Sequence, residues 1–207
     1  MEDHKRHERK PRILCLHGYR TSGEILKKSI MSRWPETITH EKLDLVFLKG
    51  KFPALGKSTI DGVSDPPYYE WFITDEDFLL VRKCEECVAY IEDYMIKNGP
   101  FDGLLGFSQG AVVASAMAAM QAKGTALGKV EKIKFLILIS GAKFGGINMY
   151  EMPKLASHAL SEPIDLPSLH IIGELDFQRQ ESILLLEAFR DPVVIHHPTG
   201  HTIPTLG

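Results

Sequence analysis

Gly106-Phe107-Ser108-Gln109-Gly110 constrains this chain more than any other stretch, because of what flanks it. Phe101-Asp102-Gly103-Leu104-Leu105 reads as a short buried strand, and Ala111 to Met120 is a run of alanine, valine and methionine that favours helix. A serine at the apex of so tight a strand-to-helix turn needs glycine two residues to either side, since a side chain there would collide. The pattern predicts a strained Ser108, its hydroxyl exposed and the N–H groups of the next helix just behind it.

Strands and helices alternate along the rest of the chain. Residues 12–16, 43–48, 133–140, 169–172 and 193–196 read as further strands, the run at 133–140 apolar enough for burial on both faces. Thr21-Ser22-Gly23-Glu24 has the spacing of a capping box and opens a helix that should stop at Trp34-Pro35. Val81, Cys84, Val88, Ile91 and Met95 fall at three- and four-residue steps, which predicts a helix over 75–98, ended by Gly99-Pro100. Residues 178–190 read as the last helix. Six strands separated by helices mean a doubly wound α/β fold, a parallel sheet of expected order 2-1-3-4-5-6 covered on both faces. In such sheets ligands bind beyond the carboxyl ends of the strands where the winding reverses, here between Leu16-His17-Gly18-Tyr19 and Ser108.

At 207 residues one domain is expected over 11–207, after a disordered leader at 1–10 that carries both signs of charge and no apolar core. A net charge of -3 gives no reason to expect nucleic acid or an anionic membrane as partner. No apolar run approaches the ~18 residues of a membrane span. Three cysteines argue for a reducing compartment, hence a cytoplasmic protein, with the nucleus also open to it. Cys84-x-x-Cys87 lies inside a helical pattern with no second pair, so structural cysteine is preferred over redox or zinc chemistry.

A serine hydroxyl needs a base to become a nucleophile at neutral pH, and on this fold the partners follow in the order serine, acid, histidine. His201 lies just beyond the last strand in the loop Pro198-Thr199-Gly200-His201 and is preferred to His197, at the strand's end, and to His158. Gly173-Glu174-Leu175-Asp176 offers the acid, and Asp176 is preferred to Glu174; the competing task for Asp176 is to cap the helix near Gln178. The backbone N–H of Gln109 and that of Tyr19 are the candidate oxyanion donors, with His17-Gly18 letting the backbone turn beneath a substrate carbonyl. His17, Tyr68, Tyr69, Trp71, Phe72 and Phe144 are candidate pocket residues, joined by Met149 to Met152; the aromatic block serves equally well as core. No cofactor and no metal enters this chemistry, and the loop after the first strand lacks Gly-x-Gly-x-x-Gly.

These residues together resemble the FSH family of serine hydrolases. The likeness rests on Ile13 to Tyr19, Phe101 to Ala111, Pro167 to Asp176 and His196 to His201, and Tyr68-Tyr69-Glu70-Trp71-Phe72 looks like the family's plant members. The resemblance implies an α/β-hydrolase with a minimal lid and carboxylesterase activity on small-molecule esters of small to fairly long acyl groups. The family's catalytic serine, acid and histidine would map to Ser108, Asp176 and His201. Thioesterase or acyl-protein deacylase is the near alternative, and a non-catalytic ligand receptor on the same scaffold the distant one. Family members carry a final helix after the histidine, whereas this chain stops six residues beyond His201. An exposed apolar patch, lower stability or self-association over that sheet face is therefore expected.

Overall fold

Side chains alternate across the first strand so that Ile13 and Cys15 face one side, Leu14 and Leu16 the other, and all four are fully buried. A strand apolar on both faces must be covered on both. The computed structural model that provides this cover describes residues 9–58, 60, 62–74, 81–144 and 159–207. Strands β1 (Arg12–Leu16), β2 (Asp44–Leu48), β3 (Gly103–Phe107), β4 (Phe135–Ile139), β5 (Ser168–Gly173) and β6 (Val193–His197) form one parallel sheet. Their spatial order is β2-β1-β3-β4-β5-β6, as expected. The register sets Leu14, Leu104 and Leu136 side by side on one face, and Cys15, Leu105 and Ile137 on the other.

Helix α1 (Gly23–Arg33), followed by the single turn α2 (Glu36–Thr39), lies over the face of Ile13 and Cys15 through Leu26, Ile30 and Trp34. Ser22 caps α1 by accepting the Ile25 N–H at 3.3 Å, one residue beyond the Thr21 that the capping-box spacing indicates; Thr21 instead donates its hydroxyl to the Gly18 carbonyl at 2.8 Å. The opposite face takes α3 (Cys84–Asn98), α4 (Gln109–Ala122) and α5 (Arg179–Leu186). Helix α4 is buried along Gln109 to Met120, which explains why its residues are small or apolar all round.

Helix α3 is shorter than the periodicity implied. Lys83 has φ 66°, a left-handed turn that starts the helix at Cys84, and Val81–Arg82 instead pairs antiparallel with Ile73–Thr74. Cys84 and Cys87 thus sit in the first turn of the helix rather than within it, buried and unpaired. Residues 75–80 lie outside the described part. Tyr69–Glu70 pairs in turn with Phe52–Pro53, giving the long connection after β2 two short ribbons.

At the amino end, residues 1–8 of the expected leader lie outside the described part, but Arg9 is held by both carboxylate oxygens of Asp102, at 2.6 and 3.0 Å. Burial opposes ionisation of Asp102, yet Arg9, Lys134 and the Arg12 N–H hold it well below the usual carboxylate range. At the far edge of the sheet, Val193 is 61% and Ile195 39% exposed, on the face that α1 covers nearer the centre.

Candidate active site

Ser108 joins β3 to α4 with φ 53° and ψ −119°, a conformation that only tight packing sustains in a residue with a side chain. The packing is visible at both glycines. A Cβ on Gly106 would lie 2.4 Å from the Gly110 carbonyl oxygen, and one on Gly110 2.1 Å from that of Leu16. The Ser108 N–H donates to Ile139 across the sheet at 2.9 Å, and its carbonyl accepts the first bonds of α4. Gln109 is the first residue of that helix, a position whose N–H has no acceptor within the helix.

Asp176 follows β5, its side chain fully buried. One carboxylate oxygen accepts the Gln178 N–H at 2.8 Å, so it stabilises the turn into α5 while both oxygens stand 3.0 Å from His201 Nδ1. The other ring nitrogen, Nε2, is 2.9 Å from Ser108 Oγ. A carboxylate only accepts, so the proton belongs on Nδ1 and the lone pair on Nε2 faces the serine hydroxyl. Burial works to raise the Asp176 pKa, but the bonds from His201 and the Gln178 N–H, with the nearby Ser140 hydroxyl, outweigh it and hold the carboxyl below its usual range. Ser140, fully buried at φ 50°, lowers it by facing the carboxylate although its hydroxyl makes no hydrogen bond of good geometry.

The competing residues go elsewhere. His197 Nδ1 meets the Thr199 hydroxyl at 2.7 Å, its Nε2 is buried without a partner, and burial lowers its pKa against the pull of Asp176 and Glu174. Glu174 points to solvent. His158 and Met149 to Met152 lie outside the described residues.

Of the candidate pocket residues, His17, Trp71, Phe72 and Phe144 are at most 1% exposed and pack within the core, the other reading that the aromatic block allowed. His17 Nε2 accepts the Gly50 N–H at 2.9 Å and its Nδ1 donates to the Gly18 carbonyl at 2.8 Å. Burial drives the pKa of this ring from 6.5 to about 4. Trp71 Nε1 donates to the His17 carbonyl at 2.8 Å, and Phe72 packs on Phe144 at 5.4 Å between ring centres. Tyr68 is buried and bonds the Ser64 carbonyl, while the half-buried Tyr69 gives its N–H to Thr21 at 2.7 Å. These side-chain bonds, the Tyr69 N–H and the ring contact hold the aromatic block in place. Tyr19, half-buried, stands in the same loop as His17, with the Arg20 guanidinium over its ring and Arg20 paired to Glu70 at 2.9 Å.

The Gln109 side chain joins the two layers: its carboxamide oxygen accepts the Trp71 N–H and its nitrogen donates to the Phe72 carbonyl, both at 2.9 Å. This role, and that of Ser140, escaped the sequence, where only the position beside the nucleophile or at a strand end singled them out. Two aromatic rings also flank His201: Phe107 at 5.2 Å and Phe177 at 4.7 Å.

Known proteins share this architecture. The profile of the serine hydrolase (FSH1) family matches residues 6–207. Esterase OVCA2 from Bos taurus is 31% identical over 219 residues, covering 93% of this chain and 89% of that protein. Esterase OVCA2 from Homo sapiens is 30% identical, with coverage of 95% and 91%. Among solved structures, a carboxylesterase from Mesorhizobium loti superposes with a TM-score of 0.62 at 16% identity, over 95% of this chain and 83% of that one. Acyl-protein thioesterase 2 from Zea mays does so with 0.58 at 19% identity, over 96% and 90%. Both show the same fold. An α/β-hydrolase sheet, a strained serine at its elbow and family membership across nearly the whole length lead to one conclusion: the chain belongs to the FSH1 serine hydrolase family and is an enzyme of the carboxylic ester hydrolase class.

Proposed function

We propose that Ser108, His201 and Asp176 act as a triad that hydrolyses apolar acyl esters through an acyl-enzyme. Ser108 Oγ adds to the ester carbonyl carbon as its proton passes to His201 Nε2, and Asp176 holds the imidazole and stabilises the imidazolium. The carbonyl oxygen, now an anion, takes hydrogen bonds from the backbone N–H groups of Gln109 and Tyr19. Collapse breaks the carbon–oxygen bond to the alcohol, which leaves with the proton from Nε2. Water then repeats the sequence on the acyl-serine and releases the acid. The observation that carries this reading is the unbroken chain of contacts from Asp176 through His201 to Ser108, at 3.0 and 2.9 Å.

Three free, buried cysteines fit the reducing cytoplasm as the place of action, and among the described residues no helix is long and apolar enough to cross a membrane. A fluorophosphonate probe tests the nucleophile directly. One equivalent should attach to Ser108, and Ser108→Ala should abolish labelling and lower kcat on p-nitrophenyl esters by ~10⁴- to 10⁶-fold. Ester binding without labelling or turnover would instead mark a receptor on a hydrolase scaffold.

A further inference from the structure

We infer that Leu175 and Phe177 form the leaving-group side of the site, an apolar shelf that selects esters by the alcohol they release. The inference rests on the reading of Ser108, His201 and Asp176 given above. In the turn after β5 the Asp176 side chain is fully buried, while Leu175 is 76% and Phe177 78% exposed on either side of it. A single exposed apolar side chain is ordinary. These two are distinguished by where they stand. The Phe177 ring centre is 4.7 Å from that of His201, tilted by 42°, with Phe107 at 5.2 Å from the same imidazole and half-buried. The Leu175 N–H donates to the Thr199 carbonyl at 3.2 Å, so the turn that carries the shelf is tied to the loop that carries the base.

The direction follows from the proton. When the tetrahedral intermediate collapses, the bond from the carbonyl carbon to the alcohol oxygen breaks, and the proton on His201 Nε2 moves to that oxygen. The alcohol's first carbon must therefore lie against the imidazole. Its next carbons, running outward, meet the exposed apolar side chains of the turn beside the ring, first Phe177 against the imidazole and, in the same turn, Leu175. The acyl chain leaves the carbonyl carbon by a different bond and has no such obligation to pass the imidazole. A longer alkyl alcohol should gain by covering these side chains, and most of that gain should appear in KM.

Two matched series separate the sides: acetates of straight-chain alcohols from methyl to octyl, and methyl esters of straight-chain acids from acetic to decanoic. In the unaltered protein kcat/KM should climb with alcohol length. Phe177→Ser should lower the octyl-to-methyl acetate ratio by about tenfold, chiefly through KM, and leave the decanoate-to-acetate ratio within about twofold. Leu175→Ser should act in the same direction more weakly, and Phe177→Leu, which keeps apolar area, should restore most of the ratio. Turnover in which neither ratio moves, or in which both fall together, overturns the shelf and leaves the hydrolase reading intact. Absence of turnover on both series, with no phosphonylation of Ser108, overturns that reading and the shelf with it.

Discussion

The two sides of Ser108 are built on opposite principles. Behind it, His17, Trp71 and the Gln109 side chain are almost wholly buried, and five hydrogen bonds of 2.8 to 2.9 Å bind them to one another and to the loops after β1 and β2. In front of it, the turn bearing Asp176 hides its carboxylate and leaves Leu175 and Phe177 in solvent. In the proposed mechanism the rear side would fix where an oxyanion is held, a task in which an error of an ångström matters. The front side adjoins a part of the substrate that varies, and exposed side chains can meet different partners at little cost to the fold.

The contrast breaks most sharply at the buried acid on the front side. Asp176→Asn keeps shape and removes charge; kcat should fall by ~10⁴-fold through the wrong imidazole tautomer, with KM little altered. Steady-state kinetics on a short ester, with circular dichroism to confirm the fold, checks this. Stability should be as asymmetric as exposure. Trp71→Ala loses a fully buried indole and its bond to the His17 carbonyl and should cost ~3–5 kcal/mol of unfolding free energy in urea titration.

Acid should loosen the rear side next. Burial lowers the pKa of His17, and that of His170 within β5, from 6.5 to about 4. The unfolded chain therefore binds more protons than the folded one between these values, and stability, complete above pH 6.5, falls as pH drops towards about 4. The linkage sets ~3 kcal/mol as the scale for each ring. His170→Phe should flatten the pH dependence without abolishing it, since His17 remains; a flat profile for the unaltered protein across this window would contradict the burial of both. The smallest effect belongs to the front. Phe177→Ala should change unfolding free energy by no more than ~0.5 kcal/mol, because the ring is already in water.

What was legible in the residues was the part governed by local sterics and chain order. The glycines around Ser108 are dictated by backbone atoms within a few positions or in the adjoining strand end, and the partners of a serine on this sheet must come from the ends of later strands. Alternating apolar runs were enough to place six strands in their order. The start of α3 was not legible, because its apolar spacing extends back through Val81 and nothing in the pattern marks Lys83 as left-handed. The burial of the aromatic block was half legible. Trp71 and Phe72 suit a pocket wall and the core equally well until the Gln109 carboxamide, 38 and 37 positions away, is seen to take up their backbone groups. The shelf at Leu175 and Phe177 escaped for a related reason: exposure is a property of the assembled surface, and residue type alone favours burial for both.

Arg33, the last residue of α1, donates from Nη1 to the Thr202 hydroxyl at 2.6 Å and to the Ile203 carbonyl, and its own carbonyl accepts the Leu206 N–H at 3.1 Å. The peptide immediately following the imidazole is thus moored to a helix that donates nothing to the reaction. Arg33→Ala would remove both side-chain anchors from the segment next to His201 while leaving the Leu206 bond to the backbone of α1 in place.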